Sequence, residues 1–144
     1  MSQTIVVGFD ASDSGNRALD FAIGEAKARG ARLLVAHVLE WSPYTFLTPE
    51  EIEERHRRRT EELSRAETAI IAPVLERVRA GGVEAASELK YGNIGETLCA
   101  IAKDHGASQI VIGRTGHSEL AARLFGSVAG TLAQASPVPV TIVP

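Results

Sequence analysis

The chain alternates short, continuously apolar runs with longer segments in which apolar residues recur every three or four positions. The apolar runs cover residues 4–9, 32–39 and 109–112. Runs without polar alternation predict strands that are buried on both faces, as in a parallel sheet. A more polar run at 83–91 and a proline-containing run at 137–143 predict two further strands at the edges of that sheet.

Helical patterns separate the predicted strands. The first helix runs from Ser14 to Gly30, and we expect Asp13 to cap it, since acidic and hydroxyl side chains accept hydrogen bonds from the first amides. Two more helices are predicted at 95–105 and 127–135, the latter with Ser127 at its start. Each helix therefore connects two consecutive strands.

The longest predicted helix extends from Thr48, as N-cap, to about Ala80, with Pro49 in its first turn. Pro73 predicts a kink or break at residues 71–72, because proline cannot donate the helical hydrogen bond. Opposite charges four positions apart indicate a solvated, salt-bridged surface rather than a nucleic-acid site. The pairs are Glu51/Arg55, Glu53/Arg57, Glu54/Arg58, Arg57/Glu61 and Arg58/Glu62.

The order β-α-β-α-β-α-β-α-β predicts the α/β class, as a single doubly wound five-stranded parallel sheet with helices on both faces. Such sheets bind ligands beyond the carboxyl ends of their strands, where the strand order reverses. Asp10, Val38 and Gly113 end the first, second and fourth predicted strands. We therefore expect these three regions to converge on one crevice.

The loop between Gly113 and Ser127 has the composition of an anion-binding segment. Glycines let the backbone approach a phosphate, and the first amides of the following helix point toward it. The loop is neither a Walker A sequence, which needs a lysine before the Ser/Thr, nor G-x-G-x-x-G. A phosphate here would depend on backbone amides, Ser127, Arg114 and His117. A simple connection whose glycines only turn the chain is the alternative.

Composition narrows the functional classes. The 144 residues predict one domain, 1–144, with 44% hydrophobic and 23% charged residues. A net charge of −3 argues against a non-specific nucleic-acid surface. The absence of a leader pattern or an 18-residue apolar run predicts a soluble, cytoplasmic protein without a membrane contact. Cys99, the single cysteine, is expected to be a small buried hydrophobe on a helix.

Two further groups invite a functional interpretation. Trp41, Tyr44 and Phe46 cluster in one predicted loop. We expect them to cover an edge of the hydrophobic core or to contact a protein partner, rather than to stack on an adenine ring. His37 lies in an apolar strand and is expected to be a core histidine with a satisfied hydrogen bond.

Over essentially its whole length the chain resembles the universal stress proteins, the small α/β family typified by UspA-like bacterial proteins. The nucleotide signature of that family, G-x2-G-x9-G-[ST], is matched by Gly113, Gly116, Gly126 and Ser127. Residues 5–12 and 138–140 support the resemblance. Members that keep this signature bind ATP, so the resemblance implies the ATP-binding subgroup.

The resemblance also implies roles for individual residues. Asp10, with the adjacent Ala11, would contact the ribose or adenine side, and the Val38 backbone would read the adenine edge. The few basic residues of the loop balance a triphosphate only in part, so by charge, rather than by the resemblance, we expect a Mg²⁺ ion to bridge the phosphates, with Asp10 and Asp13 as possible helpers. No catalytic residue or protein metal site is assigned. The residues implied to hold ribose and phosphates or to line the loop are Gly113, Arg114, Gly116, His117, Ser118, Gly126, Ser127 and Val128.

The implied function is a nucleotide-dependent stress-response protein with little or no turnover, which forms a homodimer through residues 139–143. Slow ATP hydrolysis or self-phosphorylation on Ser118, Ser127 or Ser12, with His117 orienting a water, is one alternative. A scaffold that binds another adenine nucleotide, such as cyclic AMP, and acts through protein partners is the other.

Overall fold

The computed structural model describes residues 3–40, 48–114 and 128–144. The described residues form a single five-stranded parallel sheet, as predicted. Its strand order is β3-β2-β1-β4-β5. The strands are β1 Thr4–Gly8, β2 Arg32–Glu40, β3 Ala85–Gly92, β4 Gln109–Gly113 and β5 Val140–Val143.

Helices cover both faces of this sheet. They are α1 Asp13–Arg29, α2 Pro49–Ala66, α3 Ala72–Ala80, α4 Ile94–Asp104 and α5, which is helical over its described residues 128–135. Side chains of α1 and α3 pack on one face, and those of α4 and α5 pack on the other. The doubly wound α/β class is therefore confirmed. Among the described helices, none is long and apolar enough to cross a lipid bilayer.

Side chains of β1 show how the two hydrophobic layers arise. Successive residues of a strand point to opposite faces. Val7 accordingly packs with Leu19 of α1, whereas Val6 packs with Leu98 of α4 and Leu132 of α5. Both Val6 and Val7 are fully buried. The continuous apolar run in the sequence thus reflects a central strand covered on both faces.

The first helix begins one residue earlier than predicted, and its cap is not Asp13. Ser12 has extended backbone angles, and its hydroxyl oxygen accepts the Gly15 N–H at 2.9 Å. Asp13 instead occupies the first turn, where its carboxylate faces the positive end of the helix. Both residue types are good caps, so the conformation of the preceding loop decides between them.

The predicted break at Pro73 is confirmed. Residues Glu67–Ile71 form a π-helical turn, in which the Ala72 N–H donates to the Glu67 carbonyl five residues earlier. A proline ring clashes with the carbonyl four residues before it, and a wider turn relieves that clash. The helical segment predicted from Thr48 to Ala80 is thereby divided into α2 and α3.

Helix α2 presents the solvated surface that the charge pattern predicts. Thr48 caps it by accepting the Glu51 N–H at 3.2 Å, and Ala66 is its buried residue. Glu54 forms salt bridges with Arg57 and with Arg58, the second of which is a predicted pair. These contacts lie in solvent, where ion pairs contribute little to stability.

Strand ends differ from the predictions by a few residues. β2 continues to Glu40, so Val38 lies inside the strand rather than at its end, paired in register with Lys90 of β3. The last strand begins at Val140 rather than at 137. Both strands predicted at the edges, β3 and β5, do occupy the edges.

Candidate functional site

The strand order reverses between β1 and β4. From β1 the chain proceeds outward through β2 to β3, and it then returns across the sheet to β4 and β5. Helices following β1 and β4 therefore lie on opposite faces, which opens a crevice beyond the carboxyl ends of these two strands. The loop that leaves β1 and the end of β4, at Gly113 and Arg114, border this crevice.

Asp10 is held by its own loop. Its Oδ1 atom accepts hydrogen bonds from the Ser12 backbone N–H at 3.1 Å and from the Ser12 hydroxyl at 2.5 Å. Gly15 lies directly beside it, because a Cβ atom at position 15 would come within 2.5 Å of the same oxygen. The carboxylate therefore has one oxygen fixed by protein donors, in a half-buried position at the end of β1.

Ala11 has a left-handed backbone with φ of 63°, the only positive φ of a non-glycine residue in the described part of the chain. For an L-residue this conformation costs roughly 1 to 2 kcal/mol. Hydrogen bonds on either side maintain it. The Phe9 carbonyl contacts His37, and the Ser12 carbonyl accepts the Asn16 side-chain N–H at 3.0 Å.

Gly113 brings the end of β4 against the first turn of α1. A Cβ atom at position 113 would lie 2.5 Å from the Ser14 hydroxyl oxygen and 2.7 Å from the Ser14 carbonyl carbon. Side chains do not fit in that space. Close packing between a strand and a helix therefore accounts for this glycine, independently of any phosphate.

Arg114 and Val128 flank the loop that follows β4. The Arg114 side chain is exposed, and its backbone N–H donates to the Val143 carbonyl at 2.7 Å, which extends the pairing with β5. Val128 is half-buried at the start of the described part of α5 and packs in the hydrophobic layer of α4. Five further predicted site residues lie outside the described residues: Gly116, His117, Ser118, Gly126 and Ser127.

The backbone of Val38 faces the same crevice. Alternate residues of a strand direct their N–H and C=O groups to opposite neighbours. Ala36 faces β1, since its carbonyl accepts the Phe9 N–H at 2.9 Å, and Val38 is therefore directed to the same side. β1 has already ended at Gly8, which pairs with Ala36. The Val38 groups thus point into the space beyond the end of β1.

His37 is a buried histidine with a hydrogen-bonded ring, as predicted: it is 7% exposed, and its Nδ1 lies 2.6 Å from the Phe9 carbonyl oxygen. This partner could not be predicted from the sequence, because it depends on where β1 stops pairing with β2. Residues 41–47, which include the aromatic cluster, lie outside the described residues.

Two other side chains, those of Tyr91 and Cys99, have perturbed proton affinities. The Tyr91 hydroxyl donates to Glu62, and Arg59 lies 5.4 Å from the ring centroid. Burial and the Glu62 carboxylate raise the pKa of Tyr91 to about 12. Cys99 is partly rather than fully buried, and burial, followed by the charge of Glu96, raises the pKa of its thiol. A raised pKa disfavours the reactive thiolate.

Within residues 3–40, 48–114 and 128–144, no group of three or more His, Cys, Asp or Glu side chains is placed to hold a metal ion.

Comparison with known proteins identifies relatives along the full chain. The model of the universal stress protein family matches residues 1–144. A curated protein of Thermus aquaticus, described as a universal stress protein in the QAH/OAS sulfhydrylase 3′ region, is 31% identical over 143 residues. That alignment covers 99% of each chain.

Solved structures agree with this similarity. Universal stress protein UspA from Lactobacillus plantarum superposes with a TM-score of 0.83 at 25% identity, covering 99% of this chain and 97% of that one. A universal stress protein in complex with cAMP has a TM-score of 0.65 at 30% identity, with 99% and 96% coverage. The Archaeoglobus fulgidus protein in complex with dAMP has a TM-score of 0.64 at 26% identity, with 100% and 98% coverage. The chain belongs to the universal stress protein family.

Proposed function

We propose that the chain binds ATP, with Mg²⁺, beyond the carboxyl ends of β1, β2 and β4, as a single domain over residues 1–144. It acts as a nucleotide-dependent stress-response protein with little or no turnover. The observation that carries the proposal is the close approach of Gly113 to Ser14, which sets the start of the glycine loop beside the loop that holds Asp10.

Relatives support an adenine nucleotide as the ligand, since two similar structures are complexes with cAMP and with dAMP. In this assignment Asp10 and Ala11 contact the ribose or adenine side, and the Val38 backbone groups read the adenine edge. The spacing of glycines and Ser127 in the loop matches the ATP-binding signature. The residues that hold ribose and phosphates or line the loop are Gly113, Arg114, Gly116, His117, Ser118, Gly126, Ser127 and Val128.

The donors beside the crevice fit a Mg²⁺ ion that is held mainly by phosphate oxygens and water. Mg²⁺ commonly uses only one or two carboxylates together with substrate phosphates. Asp10 offers one carboxylate, of which Oδ1 already accepts two hydrogen bonds from Ser12. The ion would neutralise phosphate charge that Arg114, His117 and Arg123 balance only in part, with Glu119 opposing them.

The environment of Ser12 argues against self-phosphorylation at that residue. Ser12 is 7% exposed, and its hydroxyl donates to Asp10 and accepts from the Gly15 N–H, so the hydroxyl is committed to the helix cap. Ser118 and Ser127 remain the candidate acceptors if the chain turns over ATP slowly. Cyclic AMP is the second candidate ligand, because a relative of 30% identity was solved with it.

We also propose a homodimer formed through residues 139–143. β5 is an edge strand, and an edge exposes backbone groups that a second copy can pair. Apolar side chains lie near this edge: Ile142 is 44% exposed, and Phe21 of α1 is 41% exposed. Arg17, one turn from Phe21, donates to the Pro144 carbonyl oxygen at 2.9 Å. Residues 41–46, with their three aromatic side chains, are our candidate contact for a protein partner.

Calorimetric titration of nucleotide-free protein with ATP, ADP, AMP and cyclic AMP, with and without Mg²⁺, tests the ligand assignment. We expect saturable one-site binding of Mg-ATP, and loss of binding in Gly126→Val. Gly130→Ala is the matched control, because a Cβ atom at position 130 meets no atom within 4 Å. Binding of cyclic AMP in preference to ATP would favour the second candidate, and heat-silent titrations confirmed by dialysis would refute both.

A further inference from the structure

The backbone pairing between β1 and β2 ends at Phe9. Gly8 and Ala36 are the last residues in register, and the Phe9 N–H makes one more bond to the Ala36 carbonyl at 2.9 Å. The Phe9 carbonyl then accepts a hydrogen bond from a side chain, His37 Nδ1, at 2.6 Å. A carbonyl oxygen has no hydrogen to give, so Nδ1 must be the protonated nitrogen.

His37 is a rigid donor. Its backbone lies within β2, in register with Leu89 of β3 on one side of the strand. His37 is 7% exposed, one of five buried polar or charged residues in the described part of the chain. Neither the backbone nor the ring is free to follow the Phe9 carbonyl if that carbonyl moves, so the imidazole fixes the point at which the chain leaves the sheet.

The segment that leaves the sheet is strained and needs such a fixed point. Ala11, two residues beyond Phe9, has a φ of 63°. Unfavourable backbone conformations persist only where the surroundings over-determine them. On the far side, the Ser12 carbonyl is held by the backbone and side-chain N–H groups of Asn16, at 2.8 and 3.0 Å. On the near side, the Phe9 carbonyl accepts a hydrogen bond from the imidazole of His37.

We propose that His37 is a positioning residue of the nucleotide site, which sets the arrangement of Asp10 and Ala11 by holding the Phe9 carbonyl. His37 acts through the loop and does not itself contact the nucleotide. The expected consequence of this positioning is tighter nucleotide binding, and that consequence rests on the proposed function. The hydrogen bond and its effect on the loop can be tested without any nucleotide.

Two substitutions distinguish the effect of the His37 hydrogen-bond donor from the effect of its side-chain volume. His37→Asn keeps an N–H donor close to the Nδ1 position but is smaller, whereas His37→Leu keeps the approximate volume and removes the donor. A loop that adopts the binding arrangement one-tenth of the time binds about tenfold more weakly. We therefore expect His37→Leu to weaken Mg-ATP binding about tenfold, and His37→Asn to stay within about twofold of wild type.

Urea unfolding of both variants provides the control. A purely structural role predicts that affinity follows stability, so the variant with the lower unfolding midpoint would bind more weakly. The positioning role predicts that affinity follows the donor, whatever the order of the midpoints. Equal affinities of wild type and a folded His37→Leu would overturn the proposal.

Nuclear magnetic resonance of the nucleotide-free protein distinguishes failure of this inference from failure of the proposed function. We expect the His37 ring to carry its proton on Nδ1. We also expect the Asp10, Ala11 and Ser12 amide signals to shift strongly in His37→Leu and weakly in His37→Asn. A proton on Nε2 alone overturns the inference without any variant. Absence of nucleotide binding in wild type, with these spectra as expected, overturns only the proposed function.

Discussion

Gly113 lies so close to Ser14 that a Cβ atom on the glycine would come within 2.5 Å of the serine hydroxyl oxygen. The contact joins the end of β4 to the first turn of α1, and both flank the proposed nucleotide site. The space is bounded on one side by the Ser14 carbonyl carbon and oxygen, which would be 2.7 and 2.8 Å away. Backbone atoms cannot move aside as the end of a flexible side chain can.

Gly113→Ala is therefore expected to destabilise the fold and to weaken nucleotide binding together. Overpacking a dense site costs about 1 to 3 kcal/mol, and the strand end must shift away from α1. Urea unfolding and Mg-ATP titration measure the two effects. Gly130→Ala, on α5, introduces the same methyl group into open space, so it should leave ATP affinity unchanged and should not lower stability, because alanine is the better helix former. Wild-type stability of Gly113→Ala would show that the contact is not close-packed in solution.

Ser12→Ala, which removes the cap of α1, should weaken ATP binding, whereas loss of the cap of α2 should not. The substitution removes the Gly15 cap bond and one of the two bonds to Asp10, so we expect a loss of about 1 kcal/mol and weaker ATP binding. Thr48→Ala removes the corresponding cap of α2, which is far more exposed. We expect Thr48→Ala to leave ATP affinity unchanged. Equal ATP affinities of Ser12→Ala and Thr48→Ala would show that the position of Asp10 does not contribute to nucleotide binding.

Tyr91 should ionise well above the usual range of a phenol. Burial and Glu62 raise its pKa to about 12 from 10.0, so the folded state favours the neutral hydroxyl. The resulting stabilisation is fully present below pH 10, and it is lost as the pH rises through about 12. Absorbance titration of phenolate measures this pKa. The Tyr91→Phe variant retains only the signal of Tyr44, which is subtracted to give that of Tyr91.

Glu62→Gln removes the negative charge beside the phenol, and it should lower the pKa of Tyr91 toward 10, the usual value of tyrosine. An unchanged titration curve in Glu62→Gln would show that the Glu62 carboxylate does not contribute to the raised pKa of Tyr91.

Ile142→Lys should convert the proposed dimer to a monomer. Lysine on an edge strand opposes pairing with a second copy, because a charge would be buried between the two chains. Ile52→Lys is the matched control, since Ile52 is 55% exposed on α2, away from this edge. Sedimentation velocity should give a dimer for the control and a monomer for Ile142→Lys. The same mass for both would place the interface elsewhere or refute the dimer.

Much of the fold could be predicted because its signals are local in sequence. Continuous apolar runs marked the central strands, and Pro73 marked the division between α2 and α3. The cap of α1 was misassigned, because Ser12 and Asp13 are both good caps and the Asp10 side chain favours Ser12. Which of the two residues caps the helix depends on the geometry of the preceding loop, which residue preferences for the cap position do not describe.

The candidate site was harder to predict in detail, because its contacts join distant parts of the chain. The loop sequence predicts that Gly113 allows a phosphate to approach, although its contact with Ser14 is sufficient reason for a glycine. The partner of His37 depends on where β1 stops pairing with β2. The apolar pattern predicts Val38 at a strand end, yet Val38 lies within β2. Its backbone faces the crevice because β1 is the shorter strand.

The central claim, that this chain binds ATP in its glycine loop, is tested most directly by thermal unfolding with and without Mg-ATP. A ligand at about 100 times its dissociation constant adds roughly 2.7 kcal/mol to the stability of the native state. For a chain of this size, the midpoint should rise by about 5 to 10 °C. The shift should disappear in the Gly116→Val/Gly126→Val double variant. No shift with any adenine nucleotide, in protein free of copurified ligand, would contradict the account.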